Sequence, residues 1–183
     1  MSNLVRMVIN AIDRLNETIG GVVSWLALTL VFTTCTVAVL RYGFDMGWVW
    51  MQELYIWMHA TMFLAASGYT LLHEGHVRID VFYGTAGPRY RAWVNVIGTL
   101  LFLFPMVGLI GYMAWGYVFL SWTRLEASQE AGGLPGLFLL KSCMLVFAAL
   151  LALQGLALLL RSIMILTNHP EFTAPTRSAE TGH

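Results

Sequence analysis

The chain has 183 residues, of which 58% are hydrophobic and 11% charged, with a formal net charge of zero and mean hydropathy +0.69. Soluble domains carry about 25% charged residues, so this composition excludes most soluble enzymes. A net charge of zero supplies no basic field for nucleic acid.

The first 19 residues read as an amphipathic segment. Leu4, Val8, Ile12, Leu15 and Ile19 recur at helical spacing, with Arg6, Asn10, Asp13, Arg14 and Glu17 mostly on the other side. That pattern predicts either a helix lying in a membrane interface or an extension of the helix that follows. It also places too many residues before the first apolar run for a cleavable signal.

Four apolar stretches follow, at 20–40, 48–72, 92–122 and 134–160. Each is long enough to cross a bilayer, which takes about 20 residues of helix. Hydrocarbon leaves backbone polar groups no external partner, so all four are expected as helices. The first ends at Arg41-Tyr42-Gly43, and Trp48 and Trp50 open the second with an aromatic belt. The second runs to Leu72, with a narrow place at Ala65-Ala66-Ser67-Gly68. A polar link through His76, Arg78 and Asp80 leads to Pro88, which is tolerated near a helix start. The third stretch carries Pro105, which predicts a kink, and small residues at Gly108 and Gly111. A polar loop over 124–133, then Leu134-Pro135-Gly136, precedes the fourth. Arg161 closes it, and 162–183 reads as a flexible tail. The expected domains are thus 1–19, 20–161 and 162–183.

With four spans, both termini share a side with the second connection. That side holds Arg6, Arg14, Arg78, Arg89, Arg91, Arg161 and Arg177, against Arg41, Arg124 and Lys141 on the other. The positive-inside rule then places both termini in the cytoplasm. The fold class expected is an all-α membrane protein of four transmembrane helices with an N-terminal amphipathic interfacial helix.

An ionisable side chain inside a span is costly and marks a functional candidate. Glu53 lies one turn into the second stretch; it reads as an interfacial carboxylate or as the partner of an arginine, either Arg41 or one on another protein. His59 lies about 9 Å deeper; hydrogen bonding to a neighbouring helix, haem ligation and proton relay are its alternatives. Lys141 can snorkel to the outer interface. Cys35 and Cys143, both within apolar stretches, read as packing residues rather than a disulfide or metal site. There is no nucleophile with a base, no phosphate-binding glycine loop and no buried carboxylate pair, so no catalytic residue is assigned.

Taken in order, Arg41-Tyr42, Trp50 to Glu53, the link Gly75, His76, Val77, Ile79, Asp80, and Leu134-Pro135 resemble the small membrane subunit of the tripartite ATP-independent periplasmic (TRAP) transporters. The resemblance covers roughly residues 20–160. It implies a scaffold for a large sodium-coupled membrane subunit, which takes up an organic acid delivered by a periplasmic binding protein across the bacterial inner membrane. It implies no cofactor in this chain, with sodium held by the large subunit. Arg41, Glu53, His76, Arg78 and Asp80 become candidates for partner contact or structural ion pairs, with His59 and Lys141 as further intramembrane polar groups. A different class is a membrane anchor of a redox enzyme carrying b-type haem. Facing helices must supply its axial ligands, and His59 is the only deep histidine.

Overall fold

A computed structural model describes residues 2–75 and 87–167, which form helices joined by loops with no strand among them. The link carrying His76, Arg78 and Asp80 lies outside the described residues. In chain order the elements are α1 (Ser2–Gly43), α2 (Val49–Ala65), α3 (Ser67–Leu72), α4 (Pro88–Gly98), a π-helical stretch (Thr99–Leu103), α5 (Phe104–Thr123) and α6 (Leu137–Leu166).

Three of these helical runs are long and apolar enough to cross a membrane: α1, the composite helix Pro88–Thr123, and α6. The second apolar stretch is divided at Ala66. There the Ala66 carbonyl accepts both the Thr70 amide and the Thr70 hydroxyl, each at 2.9 Å. Such back-bonding by threonine bends helices.

The segment 1–19 is not a separate helix. α1 runs without a break for 42 residues, about 63 Å at 1.5 Å per residue, roughly twice the hydrocarbon thickness. Val5, Ile9, Ile12, Asn16 and Gly20 turn inward, whereas Leu4, Val8 and Leu15 are exposed. α1 ends where Asp45 takes a left-handed conformation and the Met46 amide reaches back to the Leu40 carbonyl at 2.9 Å, a closure that satisfies a terminal carbonyl.

The helix turn before Pro105 is π-helical, over Thr99–Leu103. Proline has no N–H for the carbonyl four residues back, and the turn before it widens, so that the Phe104 amide bonds the Thr99 carbonyl five residues back. This stretch sets Leu103 directly against Gly155 of α6, where an added Cβ would lie 2.2 Å from Leu103 Cδ2. α6 starts later than the sequence suggests because Gly136 is left-handed (φ 102°). It also runs further, since Ser162 and Met164 pack inward.

α6 is the central helix and touches every other one. Its two small cores are Ile9, Ile12 and Ala157 near the chain start, and Val107, Ala148 and Leu151 mid-bundle. Small residues at these contacts let backbones approach, as membrane helices require. Many large apolar side chains point outward instead, including Trp25, Phe32, Tyr112 and Trp115. Of the small-residue patches, Gly68 is a close contact, Gly111 an ordinary one, and Gly108 faces open space.

Candidate functional site: two polar locks

The polar side chains gather at the two ends of the bundle. At the end that carries the start of α1, Asp13 is the hub. Arg161 Nη2 donates to its Oδ2 at 2.6 Å and Gln154 Nε2 to its Oδ1 at 3.0 Å. Gln154 Oε1 in turn accepts from Asn16 Nδ2 at 2.8 Å, and the same Nδ2 reaches the Ile12 carbonyl at 3.2 Å. Asn16 and Gln154 are 1% and 2% exposed, so each bond forms where water cannot substitute. Asn16 Oδ1 has no hydrogen-bond partner and lies over Gly68 of α3, whose missing Cβ would sit 2.0 Å from it. Beside this lock, Glu17 Oε2 and His73 Nε2 meet at 2.8 Å across α1 and the end of α3, and the Tyr69 ring lies tilted against His73 with centroids 4.3 Å apart. Gly20 admits the Tyr69 ring, with an added Cβ only 2.3 Å from it.

At the opposite end the loop between α5 and α6 folds around Glu53. Its Oε2 accepts the Leu134 amide at 2.6 Å and its Oε1 accepts the Ser128 hydroxyl. The loop closes on itself through Ser128 N to Leu134 O at 3.1 Å and Gly133 N to Glu130 O at 3.0 Å. Gly133 is forced here, because a side chain would collide with both Ser128 and Glu53. A second clasp joins Lys141 Nζ to Glu126, with the ammonium 3.9 Å from the Tyr117 ring centroid. Trp122 Nε1 donates to Ser142 Oγ at 2.9 Å and its ring meets Phe138 edge-on at 4.6 Å.

The structure separates the expected residues. Glu53 is bound by the loop and not by Arg41, which is exposed in the last turn of α1 with no ion pair to Glu53 among the described residues. Lys141, whose side chain is 10% exposed, has a carboxylate partner instead of open water. His59 is exposed on α2 and stacks on Phe63, with centroids 6.4 Å apart. Asp13, Asn16, Gln154 and Arg161 were not singled out as candidates by their sequence pattern. An uncharged glutamine inside an apolar stretch was the signal available, and a search restricted to ionisable groups passes over it.

The Glu126 carboxyl is held below its usual range, first by its hydrogen bond to the Lys141 ammonium. A carboxyl lowered in the folded state contributes stability that is complete above its unfolded pKa, about 4.3, and fades as pH falls through the folded value. Hydrogen exchange in the 124–136 loop should therefore be flat from pH 8 to pH 5 after correction for intrinsic rates. It should rise on further acidification, and Glu126→Gln should reduce that acid-dependent rise. A rise already complete by pH 5 would contradict this arrangement.

Chemically, these groups join helices; they do not converge on a central cavity. Among the described residues no cluster of three or more His, Cys, Asp or Glu side chains could hold a metal. Cys35 and Cys143 are both free. Residues 28–164 match the family model "Tripartite ATP-independent periplasmic transporters, DctQ component". No curated protein and no solved structure matches the chain significantly.

Proposed function

The chain belongs to the DctQ component of the tripartite ATP-independent periplasmic transporters, and from that membership we propose that it braces a large sodium-coupled membrane subunit. That subunit would carry an organic acid received from a periplasmic binding protein. The observation behind this reading is the placement of polarity. Asp13, Asn16, Gln154 and Arg161 at one end, and Glu53, Ser128, Glu126 and Lys141 at the other, bond to one another. A transporter core needs polar groups and broken helices directed at a midplane site; here the polar groups lock a frame.

In this reading α2 and α3 together form a fourth span, and the chain lies in the bacterial inner membrane with both termini in the cytoplasm. The Asp13 lock then faces the cytoplasm and the Glu53 loop the periplasm. Arg41 and the unbonded surface of the 124–136 loop lie on the side from which the binding protein approaches. His76, Arg78 and Asp80 fix the inner link against headgroups or the large subunit.

Reconstitution tests the proposal. Liposomes holding this chain alone should accumulate no organic acid under a sodium gradient. Addition of the large subunit and binding protein should give uptake, and omission of this chain from that set should abolish it. Accumulation by the chain alone, or full uptake without it, would sink the reading.

A further inference from the structure

His59 is an ionisable group within the apolar stretches that neither lock engages. It lies ten residues into α2 from the Trp48–Val49 boundary, about 15 Å along the axis, which is near mid-bilayer in a hydrocarbon layer of about 30 Å. An imidazole is too short to reach either interface from there. Two residues on, Thr61 Oγ1 meets Cys143 Sγ of α6 at 3.6 Å. Two residues turn a helix by about 200°, so His59 points away from α6. Ile56, His59 and Phe63 form one outward row at helical spacing, and all three are exposed. The imidazole stacks on Phe63 and makes no hydrogen bond among the described residues.

Polar and ionisable side chains at this depth face protein or a water-filled cavity, because hydrocarbon leaves their donors and acceptors unpaired. The geometry points to the Ile56–His59–Phe63 face of α2 as the surface that receives a spanning helix of the large subunit. That helix carries an oxygen side chain, of serine, threonine, asparagine, glutamine or a carboxylate, at the depth of His59. A row of two apolar residues around one hydrogen-bonding group fits helix association in membranes, where polar contacts add to packing. The inference rests on the proposed association with a large subunit and assigns it a place.

The test uses the full chain co-expressed with a tagged large subunit. A photo-activated benzophenone residue at position 56 or 63 should cross-link to that subunit in membranes. His59→Leu should reduce the fraction of chain retained on the tagged subunit by about 3- to 20-fold, the range for an interhelical hydrogen bond in a membrane. His59→Gln, which keeps a donor and an acceptor, should restore most of it. Because the row faces outward, these variants should leave the melting temperature of the isolated chain unchanged. If wild-type chain is retained but positions 56 and 63 do not cross-link, or His59→Leu is retained as well as wild type, this assignment fails and the association stands. If wild-type chain is not retained, both fail.

Discussion

Gly68→Val should leave no monodisperse folded protein, and Gly68→Ala should lower the melting temperature of the purified chain by about 4–24 °C. The expectation comes from what surrounds the residue. A Cβ at Gly68 would lie 2.0 Å from Asn16 Oδ1 and 3.2 Å from the Leu150 backbone oxygen. One neighbour is backbone and cannot yield by a rotamer change. The other is a carboxamide 1% exposed and bonded to Gln154. Moving Asn16 breaks one of the bonds that tie α1 to α6 and leaves Gln154 Oε1 unpaired in a dry site. Overpacking costs about 1–3 kcal/mol and a buried group left unpaired a further 1–3 kcal/mol. For a chain of this size each kcal/mol corresponds to about 2–4 °C. Gly116→Ala is the control, since nothing lies within 4 Å of its Cβ position; it should melt like the wild type. Equal melting of Gly68→Ala and wild type in detergent would show that α1, α3 and α6 do not meet as described.

Glu53→Ala should release the loop that joins α5 to α6. The Glu53 carboxylate takes the Leu134 amide and the Ser128 hydroxyl. Hydrogen bonds to a charged group contribute about 1.5–3 kcal/mol each, and both vanish in the alanine variant. A loss of about 3–6 kcal/mol follows, read as a lower melting temperature and as faster exchange of the Leu134 amide. Glu53→Gln should lie between, because its carbonyl can still accept from Leu134 while its amide donates to Ser128 Oγ. A glutamate whose main role were an ion pair with Arg41 would behave differently, with Arg41→Ala reproducing the alanine loss. The structure predicts that Arg41→Ala leaves the Leu134 amide as protected as before.

The apolar stretches were legible from composition because a spanning helix is specified by length and hydropathy alone. Pro105 announced a distortion, since its missing N–H is a local fact; that the distortion is a π-helical stretch seating Leu103 on Gly155 depends on the facing helix and is not local. The bundle-facing row of α1 is not local either: Ile9 and Asn16 turn inward because Ala157 and Gln154 of α6 face them. Lys141 offered no sign that Glu126 would meet it, because the distance between them is set by how the loop folds around Glu53. Gln154 stands out only as an amide in an apolar stretch, and it becomes a buried pair with Asn16 only when α1 and α6 are brought together.

The place of α6 has a consequence for biosynthesis. Asn16 and Gln154 are 138 residues apart, and a ribosome adding about 5–20 residues per second makes the first on the order of 10 s before the second. Through that interval the inward row of α1 has emerged and its partner does not yet exist. The nascent chain must therefore wait in the bilayer, or in the care of the insertion machinery, with a carboxamide, a carboxylate and two isoleucines uncovered until the last helix arrives.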